Sequence, residues 1–204
     1  MSLLAVEQLS CERGGLALFN HLAFSVSPGE IVQIMGPNGS GKTTLLRVLA
    51  GLSTAYDGSL QRSTSASLIY LGHKPGIKAM LSPLENLRWY VASSLSSHLS
   101  SQKTDDDILR ALARWQLQGY EHQPCYQLSA GQQQRVALSR LLLSDAALWL
   151  LDEPFTAIDQ SGVSQLESLL LAHADQGGAV ILTSHHLFRQ SDRLRFISLQ
   201  QVSE

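Results

Sequence analysis

GPNGSGKTT, residues 36–44, fits the pattern G-x-x-x-x-G-K-[ST]. It lies between the apolar stretch EIVQIM (30–35), which reads as a strand, and KTTLLRVLAGL (42–52), whose apolar spacing is helical with Gly51 as its stop. That strand–loop–helix setting separates a phosphate-binding loop from a chance run of glycines. Gly36, Gly39 and Gly41 let the backbone curl so that loop amides point inward at phosphate oxygens, with Pro37, Asn38 and Ser40 completing the loop. The helix that starts near Lys42 adds the positive end of its dipole. Lys42 places a point charge on the β- and γ-phosphates, Thr43 offers its hydroxyl to Mg²⁺, and Thr44 follows in the first helical turn.

ALWLLDEP (147–154) is an apolar strand ending in two carboxylates. At the strand tip Asp152 is placed to hold Mg²⁺ through its water shell, and Glu153 to orient or deprotonate an attacking water. Two further strand ends carry histidine. LTSHH (182–186) brings His185 and His186, and the strand-then-histidine register favours His185. YLGHKPGIK (70–78) brings His73 to the end of SLIYL (67–71), in the region where open α/β sheets bind ligands. Phosphate loop, acidic strand and later histidine come in the order that a P-loop ATPase needs.

Around these motifs the chain alternates. Strands are expected at 3–8, 21–26, 30–35, 67–71, 147–152, 179–184 and 193–200. Helices are expected at 42–51, from Pro83, over ILRALARWQL (108–117), at 130–143 and at 161–174, with Asp105 to Asp107 capping the second of the insert's helices by charge. Residues 52–66 read as polar turns, and the serine-rich stretch 93–107 as a mobile surface loop or a frayed helix end. Strands alternating with helices argue for an α/β fold with a parallel sheet, interrupted by a helical insert over about 75–145. One domain is expected, with a core of 1–74 and 146–204.

Composition narrows the function classes. The chain has 204 residues and a net charge of −2, so bulk electrostatics draw it to neither nucleic acid nor anionic lipid. No apolar run approaches a membrane span, and MSLLAVEQLS lacks the basic-then-apolar pattern of a signal peptide. A cytosolic protein that reaches a membrane only through a partner is the expectation. Cys11 and Cys125, without C-x-x-C spacing, read as reduced structural thiols.

QLSAGQQQRVALSR (127–140) is the most specific stretch. Ser129 and Gln132 form a capping box at a helix start. Together with the motifs above, LSAGQ resembles the LSGGQ signature of the ATP-binding cassette (ABC) ATPases, and the resemblance covers the whole chain. It implies a P-loop nucleotide-binding domain with a parallel-sheet core, a small antiparallel β portion near the N-terminus and a helical subdomain at about 75–145. It also implies a head-to-tail homodimer with two ATP molecules and Mg²⁺ sandwiched between phosphate loop and signature. Ser129 and Gly131, with Gln132 beside them, would grip the γ-phosphate of the opposite subunit's ATP. Asp159 in FTAID (155–159) would cross the interface, and His185 would contact the γ-phosphate and the attacking water. Two positions depart from the family pattern. His73 stands where most members have a glutamine that senses Mg²⁺ and the γ-phosphate. Arg13, in CERGG, stands where an aromatic residue usually stacks on adenine; a guanidinium plane also stacks on a base.

Within the family, CERGG…LF, LGHKPGIK…LSPLEN, QLSAGQQQRVALSRL and LWLLDEPFTAID are similar to the ATPases of cytochrome c biogenesis export. That similarity implies an integral membrane subunit resembling CcmB, an indirect link to a haem-chaperone complex, and a peripheral place on the cytoplasmic face of a bacterial inner membrane. Other readings are the ATPase of a different small ABC transporter, or a soluble ABC ATPase acting on nucleic acid or ribosomes. Residues 55–66, where a longer strand pair is expected for the family, read as a trimmed surface turn.

Overall fold

The computed structural model describes residues 2–64, 66–93, 103–186 and 192–199. The antiparallel sheet has order β2-β1-β4, built from β1 (Leu4–Arg13), β2 (Leu16–Val26) and β4 (Asp57–Arg62). β1 and β2 form a hairpin across Gly14 and Gly15, both at positive φ (62° and 80°), as a tight two-residue turn requires. Both strands run longer than their sequence pattern suggests. The bulges between Val6 and Leu9 and between Leu9 and Cys11 break the period-two alternation by which a strand is recognised. β4 corrects the expectation of a turn at 52–66. DGSLQR pairs with β1 from Leu4↔Arg62 to Ser10↔Asp57. It is an edge strand with only Ser59 and Leu60 partly buried, so it has no apolar face to betray it.

β3 (Ile31–Met35), β5 (Leu68–Leu71), β6 (Leu148–Asp152), β7 (Ala179–Thr183) and β8 (Leu194–Ser198) form a parallel sheet of order β5-β6-β7-β3-β8. β6 and β7 are buried at every residue, which explains their continuous apolar runs. Alternate side chains serve opposite cores. Trp149, Leu151, Val180 and Leu182 pack among the helices of the insert and α5 (Gln160–Asp175). Leu148, Leu150, Ala179 and Ile181 pack under α1 (Lys42–Leu49) and the antiparallel sheet. α1 ends at Gly51 (φ 74°) in a Schellman motif, with Leu52 N–H donating to Arg47 O and Gly51 N–H to Val48 O.

α2 (Pro83–Ala92), α3 (Asp105–Arg114) and α4 (Ala130–Leu143) pack together, each opened by a capping box: Ser82 with Glu85, Thr104 with Asp107, and Ser129 with Gln132. The cap of α3 is therefore Thr104, and Asp105 to Asp107 lie inside its first turn. α3 stops before the expected 117 because Gln116 takes φ 58°. The serine-rich stretch falls, over 94–102, outside the described residues.

Trp115, 1% exposed, anchors the end of α3 in the helical core. Trp115→Ala is expected to cost about 3–5 kcal/mol, read from urea unfolding. By the amino-terminal ends of β6 and β7, His173 stacks on Trp149, ring centroids 3.8 Å apart and planes 9° from parallel. Burial pushes its pKa from the usual 6.5 to about 4, against the opposing effect of backbone hydrogen bonds at Ala147 and Ala179. Between those values the unfolded chain binds the extra proton, so stability falls as pH drops from about 6.5 towards 4. His173→Phe is expected to lose less stability than the parent chain between about pH 7.5 and about pH 5 in urea titrations.

Candidate functional site

The phosphate loop leaves the carboxyl end of β3, which is hydrogen-bonded to β7 on one side and β8 on the other. Its turn needs glycine for steric as well as conformational reasons. A Cβ on Gly36 would stand 2.6 Å from Ser40 Oγ and 2.7 Å from Leu199 O; one on Gly41, at φ 89°, would stand 2.9 Å from Leu18 Cβ. Gly41 is the N-cap of α1, and this helix start has neither a side-chain cap nor an acidic residue in its first turn. Its first amides are thus directed at the loop's concavity without a protein carboxylate competing for them. Lys42 Nζ crosses the loop, donating to Gly36 O at 2.7 Å and Pro37 O at 3.0 Å. Ser40 Oγ is buried inside the loop with no protein partner. Cationic ammonium, free helix amides and an unpartnered hydroxyl together fit a phosphate chain.

Asp152 ends β6 and is 2% exposed. Its Oδ2 accepts from Thr43 Oγ1 at 2.8 Å and its Oδ1 from Thr183 Oγ1 at 2.7 Å. Thr43 and Asp152 thus present a hydroxyl and a carboxylate at one point beside the loop. Such a pair of hard oxygens suits Mg²⁺, which takes one or two protein ligands and fills its octahedron with phosphate and water. No cluster of three or more His, Cys, Asp or Glu, of the kind that builds an all-protein metal cage, occurs among the described residues.

Glu153 follows at φ 52°, with its N–H donating to Thr183 O (3.1 Å) and Thr183 Oγ1 (3.0 Å). Its Oε1 lies 3.7 Å from His185 Nε2. The two histidines of LTSHH point to different places. His185 is two-thirds exposed and lines the cleft. His186 is turned to α5, where its Nε2 meets Glu167 Oε1 at 2.9 Å and its ring tilts against Phe155.

A cleft of about 480 Å³ joins these groups, within the range of small-molecule sites. Asn38, Gly39, Gly41, Lys42, Thr43, Thr44, Asp152, Glu153 and His185 line it, and so do Arg13 and His73. Ser129, Gly131, Gln132 and Asp159 do not. Ser129 and Gln132 close the cap of α4, and Gly131 packs against Ala157 O, where a Cβ would stand at 2.6 Å. Asp159 caps α5: its Oδ1 accepts from Gly162 N–H (2.8 Å), Ser161 Oγ (3.1 Å) and Arg135 Nη2 (2.8 Å). Those bonds, the Gly162 amide foremost, hold its carboxyl below the usual range.

Two residues that order the site have no role in the motifs read in the sequence. Thr183 orders both Asp152 and Glu153. Gln33, 1% exposed in the middle of β3, donates to Ser184 O (3.1 Å) and His186 O (3.0 Å) and so fixes the turn that carries His185. The one available signal was a polar side chain inside an otherwise apolar strand.

The family described as ABC transporter matches residues 19–156. The protein of Hahella chejuensis named cytochrome c biogenesis ATP-binding export protein CcmA is 50% identical, over 98% of this chain and 97% of its own. Its namesake in Vibrio cholerae serotype O1 is also 50% identical, over 97% of this chain and 98% of its own. The dimeric structure of MJ0796, a bacterial ABC transporter cassette, superposes with a TM-score of 0.82 at 23% identity, covering 97% of this chain and 94% of that one. A post-hydrolysis state of the same cassette, bound to ADP and Pi, gives 0.81 at 22% identity, covering 98% and 97%. By sequence and by fold, the chain belongs to the ABC transporter family, as one of its ATP-binding cassettes.

Proposed function

We propose that this chain is the ATP-hydrolysing subunit of a membrane complex that serves c-type cytochrome biogenesis, in haem export or release of a haem chaperone. The observation that carries the ATPase reading is the meeting of Thr43 and Asp152 at 2.8 Å beside the phosphate loop, with Glu153 next in the chain. The cytochrome reading rests on relatives about half identical along nearly their full length that carry that name.

In this reading the amides of the loop and Lys42 bind the β- and γ-phosphates, and Ser40 adds its hydroxyl. Thr43 and Asp152 would hold Mg²⁺, which supplies charge neutralisation across the β- and γ-phosphates. Glu153 takes up or orients the proton of the attacking water, its backbone pinned by Thr183. His185, 3.7 Å from that carboxylate, reaches the γ-phosphate and the attacking water. His73 takes the place of the family's glutamine at the cleft wall, and Arg13 lies under the base. Ser129, Gly131 and Gln132, lying off the cleft of their own chain, close the cleft of a second copy, with Asp159 at the interface. The segment 75–145 acts as the helical subdomain of a single domain. No helix among the described residues is long and apolar enough to cross a membrane. In this reading the membrane-spanning part of the complex is an integral subunit resembling CcmB. The site of action is then the cytoplasmic face of the inner membrane.

Glu153→Gln, introduced in place of the parent chain, is expected to lower ATP turnover by about 10²–10⁴-fold while retaining ATP binding. It should also remove covalent haem from c-type cytochromes on haem-stained gels, with other haem proteins intact. Unchanged cytochromes would leave an ABC ATPase serving a different membrane partner. Ser129→Arg is expected to leave ATP affinity intact and abolish turnover, whereas Lys42→Ala should weaken binding itself, both read by titration with a fluorescent ATP analogue. Wild-type turnover in Ser129→Arg would overturn the action of Ser129 across a dimer.

A further inference from the structure

The loop from Glu153 to Asp159 sits in a conformation that its residues resist. Glu153 and Ala157 both have left-handed backbones (φ 52° and 64°), though neither is glycine. Such conformations persist where surrounding contacts over-determine them. On one side the contact is Thr183, which holds the amide of Glu153. On the other side it is the first two turns of α4.

Three residues of α4 at i, i+3 and i+4 face the loop. Gly131 lets Ala157 O approach its α-carbon more closely than any side chain would allow. Gln134, only 9% exposed, donates through Nε2 to Pro154 O at 3.2 Å. Arg135 donates through Nη2 to Asp159 Oδ1 at 2.8 Å, and through Nη1 to Gln116 Oε1 at 3.0 Å beyond the end of α3. The guanidinium is thus fixed at both ends. Elsewhere α4 buries apolar side chains, Val136, Leu138 and Leu141 among them. Directed hydrogen bonds in place of apolar contact here set a position rather than merely fill space.

We infer that Gln134 and Arg135 are positioning residues that clamp the strained Glu153–Asp159 loop and so hold Glu153 in its place at the cleft. The inference rests on the reading of Glu153 as the residue that acts on the attacking water.

The test uses the full chain in steady-state ATPase assays, with nucleotide affinity measured separately. Arg135→Ala is expected to lower kcat about tenfold or more while KM and the Kd for ATP change less than about twofold, and Arg135→Lys to be intermediate. Adding Ala157→Gly should restore at least about threefold of the lost kcat, because glycine takes the left-handed conformation without help. A merely structural role for Arg135 would not be rescued in this way. If Arg135→Ala is unfolded at the assay temperature by circular dichroism, Gln134→Met, which removes only the bond to Pro154 O, is read by the same criteria. Wild-type kcat in the clamp variants, a fall in kcat matched by a fall in ATP affinity, or no rescue by Ala157→Gly would overturn the inference. Glu153→Gln is the control: if it turns over ATP at the wild-type rate, the reading of Glu153 fails as well. If it is inactive while the clamp variants are normal, the inference alone fails.

Discussion

Asp152 is a nearly fully buried carboxylate, and a buried charge is tolerated only where partners replace its water. Its two oxygens are satisfied by hydroxyls from different places in the chain, Thr43 at the start of α1 and Thr183 at the end of β7. β7 lies between β6 and β3 in the sheet, so these bonds draw the ends of adjacent strands and the head of the phosphate loop to one point. The site exists because that point is shared. Thr183, having given its hydroxyl hydrogen to Asp152, still accepts from the amide of Glu153, which carries the order one residue further along the chain.

The sheet makes this convergence possible. Parallel strands place all their carboxyl ends on one edge, and the fully buried runs of β6 and β7 leave no freedom of register, since a slip by one residue would exchange the two cores. The antiparallel sheet contributes in a different manner. Leu18 and Phe19 of β2 close over Gly41, so the loop is held from outside as well as from beneath. Arg13, at the end of β1, reaches the same cleft by way of the hairpin.

α4 joins a helix start with an unusual Ala-Gly step to the backbone beyond Asp152. It also reaches back to the strand end that carries His73: Arg140 donates to Gly76 O at 2.7 Å and lies over the ring of Tyr90. One helix therefore touches the loops after two strands of the parallel sheet, β5 and β6.

Much of the architecture was legible in the residues because its causes are local. A glycine-rich loop between strand and helix, an apolar run ending in Asp-Glu, and Ser-x-x-Gln at a helix start each work within a few positions of the chain. β4 was missed because an edge strand of polar residues carries no pattern; its identity comes from pairing with β1. The amino-acid sequence by itself determined the phosphate loop, the acidic strand end and the cap of α4, since backbone conformation and near-neighbour hydrogen bonds suffice for these. The register after β7 already pointed to His185 of LTSHH; only the tertiary structure gave His186 its place against Glu167. The same holds for Thr183, 31 residues from Asp152, and for Gln33, 151 residues from Ser184. The physical reason is that these bonds form across the sheet, between groups whose separation is set by packing and not by their spacing along the chain.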